Sequence, residues 1–398
     1  MRQYISLILF VLSCSFSFAG KQEYADNSVL SENKWYKIGV KESGLYKLTY
    51  SDIKSMGIGD PAGVRIYGYG GAIIEEDLSK LLPRHDDLPE IAIYMEKGAD
   101  GVFSDGDYIL FYAQGTISDN IGKPTSFGQI NTLHSYTYNY YSDMGYYFVT
   151  CKPGEGKRIT EETALTEQAN VEFTSTYAGR YIHKSEYNLA ESGREWYGYK
   201  FQGNTKTQSF VINDTDIDTS EVLYLDVCVV ASAKSQTTFN VSLNGEDIGQ
   251  RISVGGSTST SQMGQKGIMK TYLGNTVASN PTITLRYNSV TSSDIGYLYY
   301  LTANYYKNMV LSGNGGSLLI TNPYEIKSDA IASYTIQGCT GSTKVWNITD
   351  PINISSMPYE LRSDIAVFKA KHDKFHKFFA FNSSSAAAKP PTRSSMAA

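Results

Sequence analysis

Short runs rich in β-branched and aromatic residues recur along this chain, separated by clusters of Gly, Asn, Asp and Ser. Such runs, bounded by turn residues, predict strands. In the first third, "KWYKIGVKESGLYKLT" reads as two strands around "ESG". Thr49, with Asp52 three positions later and Gly57 beyond, predicts one short helix at 50–56, capped at both ends. "VRIYGYGG" reads as a strand running into a glycine turn. "LPEIAIYME" and "DYILFYAQG" predict two strands of a hairpin, and "MGYYFVTC" closes a first module, 20–151. Residues 152–172 are charged and poor in aromatics, which predicts a linker.

A second module is expected over 173–312. "REWYGYKF", "SFVI", "EVLYLDVCVVA", "TTFNVSLNGEDIG", "TITLRYNS" and "IGYLYYLTANYYKNMVL" predict its strands. Their spacing and their Gly/Asn/Ser turns point to a sandwich of the jelly-roll kind. Asn244-Gly245 supplies the positive φ angles of a tight hairpin turn. A smaller β module, 313–381, contains "SLLITN", "ASYTIQGC", "KVWNITDP" and "IAVFKAKHDKFHKFFAF". The low-complexity remainder, 382–398, is expected to be disordered. The fold class is therefore mainly β, in tandem modules, with one short helix.

Composition supports this pattern. The 398 residues include 32 Tyr and 35 Gly, residues of strands and turns respectively. A formal net charge of -5 argues against nucleic acid, which needs a clustered basic face. At the N-terminus, "MRQ" precedes an apolar core, and Ser17 and Ala19 occupy the small-residue positions of a cleavage after Ala19. Residues 1–19 thus read as an export signal, too short to span a bilayer. The alternative is a lipoprotein signal with Cys14 in "VLSC" as the lipidated residue. Cys151, Cys228 and Cys339 then remain, an odd and widely spaced set that is no disulfide framework.

Five features carry candidate chemistry. "GADGVFSDGDYILFYAQG" places Asp100, Asp105 and Asp107 among glycines. Their spacing fails the EF-hand pattern, which leaves either a looser calcium site or the polar tip of a hairpin, the preferred reading. His372 and His376 stand four apart, but in a strand-like context without the glutamate of a zinc protease motif. "YGYGG" at 67–71 lacks a following helix to cradle phosphate and is read as a turn. Among the cysteines, only Cys339 lies in a plausible catalytic loop, and no histidine has a catalytic signature around it. The tyrosines of "SYTYNYYSDMGYYF", Tyr140 and Tyr141 in particular, are either a sugar-stacking platform or ordinary cross-strand pairs.

Taken in order, "WYKIGVKESGLYKLTYSDIKSMGI", "VRIYGYGG" and "DDLPEIAIYMEKGADGVFSDGDYILFYAQG" resemble the N-terminal region of the PorU-like type IX secretion system sortases. "REWYGYKF" and "KVWNITDP" extend the likeness across about residues 34–381. The resemblance implies an exported protein at the outer-membrane surface or in the periplasm, with β-rich modules ahead of a gingipain-type cysteine peptidase domain. That domain removes the C-terminal sorting signals of cargo proteins, and its catalytic Cys and His match no position here. The expectation is a truncated or frameshifted reading of a longer gene. The chain itself would be non-catalytic and need no cofactor, with calcium at the aspartate loop as the one exception weighed. Its partners would be outer-membrane secretion or attachment-complex proteins, with cargo engaged by the missing domain. The rival expectations are a stand-alone carbohydrate-binding sandwich using Tyr140 and Tyr141, and a cysteine peptidase using Cys339.

Overall fold

A computed structural model of the chain describes residues 25–74, 85–123, 125, 129–189, 191, 193–258, 264–273, 279–311, 316–383 and 388–394. The predicted export signal lies outside the described residues. The molecule is built almost entirely of antiparallel sheets. Its α-helix, Tyr50–Ser55, is held at its start by the predicted box: the Thr49 side chain accepts from Asp52 N–H, and the Asp52 carboxylate accepts from Thr49 N–H. Gly57 ends it at φ 67, in the left-handed region.

The central module is a jelly roll. Its eight strands are Gly198–Phe201, Thr207–Val211, Leu223–Ser232, Thr237–Leu243, Glu246–Val254, Gln265–Leu273, Thr282–Asn288 and Ile295–Asn308. Counted along the chain, they pair in the order 1-8-3-6 in one sheet and 2-7-4-5 in the other, which is the double Greek-key arrangement. Ser175–Ile182 adds to the first sheet along the strand Ile295–Asn308. Alternate residues of facing strands fill the core: Leu225, Val227 and Val229 from one sheet, Phe239, Val241 and Leu285 from the other. Asn244 (φ 52) and Gly245 (φ 88) make the predicted tight hairpin turn.

The flanking modules are not separate beads. In the first, strands Tyr36–Val40, Gly145–Cys151 and Val64–Tyr67 face a second sheet of Gly44–Thr49, Tyr108–Ala113 and Tyr94–Glu96. In the third, Ser317–Thr321, Lys377–Asn382 and Thr343–Asn347 face Ile331–Ile336 and Ile365–Lys371. The inner sheets of the two modules then pack on each other. Leu45, Leu110 and Tyr112 meet Trp346, Phe379 and Phe381 in a shared core. The result is four stacked sheets with three apolar layers between them. This explains two runs that do not alternate. In "YILFYA", Ile109 and Phe111 point into the first module's core while Leu110 and Tyr112 point to the shared layer. In "KFFAFN", Phe378 and Ala380 face the third module's core, Phe379 and Phe381 the shared layer. A strand buried on both faces has no reason to alternate.

Two expectations differ from the structure. Residues 152–172 do not merely link: Thr160–Glu161 pairs in parallel with Ser355–Ser356, and Val171–Phe173 in parallel with Ile331–Ile336. In the tail expected to be disordered, Thr392–Ser394 pairs with Tyr36–Val40, and Lys389 bonds the backbone of Leu45 and Lys47. Both segments supply strands to sheet edges, where unpaired backbone groups would otherwise remain. Neither carries the apolar runs that mark a core strand.

Trp346 is 1% exposed and sits edge-on to Phe381, ring centroids 4.8 Å apart, in the shared layer. Trp346→Ala is expected to lower unfolding stability by about 3–5 kcal/mol. Urea denaturation followed by circular dichroism measures it; a loss below about 1 kcal/mol would mean the layer is not tightly packed.

Candidate functional site

The aspartate loop is stitched to its own surroundings. Asp100 Oδ1 accepts from Val102 N–H (2.9 Å), an Asx-type turn. Asp105 Oδ1 accepts from Ser51 Oγ (2.7 Å), and Asp107 Oδ2 from Ser104 N–H (2.8 Å). Asp107 O also accepts from Tyr50 N–H (2.9 Å). The loop thus leans on the first turn of the helix, between the hairpin strands Tyr94–Glu96 and Tyr108–Ala113. Among the described residues, no three His, Cys, Asp or Glu side chains gather as a metal cage.

Cys339 is 4% exposed in the third module's core, where its Sγ lies 3.5 Å from Ile336 O. Burial pushes its thiol up, and it pushes Cys151 and Cys228 up to about 12. A nucleophile needs the opposite shift. His372 is committed to Tyr324 O (2.7 Å) and the Tyr334 hydroxyl (3.2 Å), and His376 Nδ1 lies 3.4 Å from Thr349 Oγ1. In "YGYGG", a Cβ on Gly71 would lie 2.5 Å from Gly145 Cα, so close backbone contact accounts for that glycine. The acidic stretch after it, from residue 75, lies outside the described residues.

Tyr141 is 68% exposed and packs beside Tyr140, centroids 4.5 Å apart and rings tilted by 55°. With Tyr69, Tyr146 and Asn139 it lines an open, mostly apolar cavity of about 790 Å³. Tyr140 faces the other way, toward Tyr138, Tyr181 and Tyr299. The two tyrosines singled out in the sequence therefore belong to neighbouring concavities rather than one platform.

A buried polar group with no catalytic signature around it in the sequence bridges the modules. His134, 3% exposed, comes from the first module, and its bonds reach both others. Its N–H donates to Asn304 Oδ1 (2.7 Å), and Asn304 Nδ2 donates to His134 O (3.2 Å). Its Nδ1 lies 2.7 Å from Asp119 Oδ2 and its Nε2 3.1 Å from Tyr177 O. Thr321 Oγ1 of the third module also lies 3.3 Å from Nε2. Thr321 of the third module completes the knot, exchanging bonds with Thr176 through its backbone (2.8 and 3.2 Å). Burial alone would push the Asp119 carboxyl up; the hydrogen bond and charge of His134, then Lys377, outweigh it and hold Asp119 below its ordinary value. Sequence could not reveal this, because His134 and Asn304 lie 170 residues apart.

No protein-family model matches the chain, and no curated protein matches its sequence. Among solved structures, dimeric latent PorU from Porphyromonas gingivalis superimposes with a TM-score of 0.77 and 22% identity, over 94% of this chain and 34% of that protein. The chain has the fold of that part of PorU, and spans about a third of its length. The CBM36-1 domain of a multidomain xylanase from the hindgut metagenome of Trinervitermes trinervoides aligns at 15% identity over 32% of this chain and 96% of its own, with a TM-score of only 0.21. Likeness at that level carries no argument.

Asp119 contributes stability above its unfolded pKa of about 3.9, and that contribution is lost as pH falls through its lower folded value. Asp119→Asn is therefore expected to flatten the stability curve below about pH 4 and to cost about 1–3 kcal/mol at neutral pH. Thermal melts across pH measure both; parallel acid limbs for the two proteins would contradict the assignment.

Proposed function

We propose that this chain is the non-catalytic β-domain array of a type IX secretion sortase, exported to the cell envelope, which positions a cysteine peptidase domain relative to outer-membrane partners. The supporting observation is the superposition on PorU across 94% of the chain. A match of that extent takes in the jelly roll and the four-sheet stack together, an arrangement far more particular than any one sandwich. The state of the cysteines agrees with a role other than nucleophilic catalysis, since all three described thiols are pushed up by burial. A rigid scaffold needs close packing between modules, and the shared layer and the His134 knot supply it.

In the cells that make it, peptides of this chain should be recovered from an envelope-associated polypeptide large enough to contain a cysteine peptidase domain. That polypeptide should also react with an active-site thiol probe. Gel separation with peptide mass spectrometry reads this out. A native species of this chain's own mass, with no thiol-reactive peptidase bound to it, would overturn the proposal.

A second reading is favoured by one observation, the exposed Tyr141 beside Tyr69 and Tyr146 in an open cavity. Aromatic rings around a concavity suit carbohydrate faces. On that reading a glycan array finds a specific sugar, and Tyr141→Ala lowers its binding at least about tenfold. No glycan retained, or retention indifferent to Tyr141→Ala, would remove it.

A further inference from the structure

The first and third modules leave a cleft along their boundary, beside the shared core. It encloses about 660 Å³. Its apolar walls are Tyr112 and Ile117 on one side and Leu319, Ile348, Phe375 and Phe379 on the other. Its charged residues are unevenly matched. Lys377 is 23% exposed, and its nearest carboxylate, Asp119 Oδ2, is 3.9 Å away, beyond hydrogen-bond reach. That same oxygen already lies 2.7 Å from His134 Nδ1, while Asp119 Oδ1 accepts from Ile121 N–H at 3.1 Å. Among the described residues, Lys123 Nζ donates to a neutral group, Asn120 Oδ1, at 2.9 Å. Glu42, at the rim, is matched by Lys389 at 2.5 Å. Three lysines thus line the cleft: Lys41, exposed beside Glu42, and the pair Lys123 and Lys377, whose nearby carboxylate, Asp119, is shared with His134.

Lys377, with no counter-ion within hydrogen-bond reach among the described residues, is costly to keep charged, and burial pulls it down from the ordinary value, while Lys123 beside it is exposed. Lysines in such a setting are suited to receive an anion from outside. The remaining Asp119 charge opposes a dianion, so the balance favours a single negative charge. The aromatic walls would gain nothing from an inorganic ion, and favour one attached to an apolar body.

We propose that this cleft binds a carboxylate carried on an apolar group, with the carboxylate held by Lys123 and Lys377 and the apolar part against Phe375, Phe379 and Tyr112. The cavity volume falls within the range of small-molecule sites, roughly 300–1,000 Å³. Two sources supply this chemistry: a free organic acid, or the terminal carboxylate of a peptide that ends in an apolar residue. The site is independent of any peptidase domain, so it stands or falls separately from the sortase reading.

Isothermal titration of the full chain tests it, with 3-phenylpropionate, its neutral amide, the dipeptide N-acetyl-Gly-Phe, and inorganic phosphate. The expected result is saturable binding of at least one carboxylate, at least about tenfold tighter than the neutral amide. Lys377→Met should weaken it at least about tenfold. Preference for 3-phenylpropionate identifies a free acid, and preference for the dipeptide a peptide terminus. Lys123→Met, nearer solvent, gives the same reading if Lys377→Met fails to fold. Equal affinity for acid and amide, tighter binding of phosphate, unchanged binding in a folded lysine variant, or no saturation by either carboxylate at millimolar concentrations would overturn it.

Discussion

Two sheets whose central strands are buried on both faces hold the flanking modules of this chain together. One comes from the first module and one from the third, and each packs a different apolar layer on either side. The strands Tyr108–Ala113 and Lys377–Asn382 show it most clearly, since nearly every residue in both is buried. Burying apolar area is the main favourable term in folding, at roughly 25 cal/mol per Å². A sheet that buries both faces uses its residues twice, so neither module can be lifted away without exposing Trp346, Phe379, Leu110 and Tyr112 to water.

The jelly roll is joined by polar chemistry as well as by ring packing, such as Tyr177 against Tyr324. His134 of the first module, Asn304 and Thr176 of the jelly-roll sheet and Thr321 of the third module form a buried network. Such groups add less energy than apolar contact, but they are demanding in direction, because an unpaired buried donor or acceptor costs about 1–3 kcal/mol. The apolar layer therefore supplies adhesion and the histidine knot supplies orientation. The proposed scaffold role would need both. The cleft lies where these two devices meet, with Asp119 serving the knot on one side and facing Lys377 on the other.

Much of the local structure was legible in the sequence. The capping pair Thr49 and Asp52, the Asn244-Gly245 turn and the strand runs of the jelly roll are all short-range signals, and each appears in place. The mainly β class followed from them. The union of the first and third modules was not legible, although its trace was present: "YILFYA" and "FFAF" fail to alternate, which marks two-sided burial without naming the partner sheet. The edge strands at Thr160–Glu161 and Thr392–Ser394 gave no signal, because an edge strand needs backbone pairing and little apolar surface. Candidate chemistry was the least legible. Asp100, Asp105 and Asp107 attract notice by their spacing and are engaged within their loop and with Ser51, whereas Asp119, Lys123 and Lys377 carry no local signal, His134 has no catalytic signature around it, and these four form the polar junction. Their meeting depends on contacts between residues far apart in the chain.

If the first and third modules are one folded body, their inner strands must open together. Native-state hydrogen exchange on the amides of Tyr108–Ala113 and Lys377–Asn382 measures this directly. The account predicts one common opening free energy for the two strands, equal to that of global unfolding and rising and falling together with denaturant. Separate opening free energies, with one strand exchanging while the other stays protected, would contradict it.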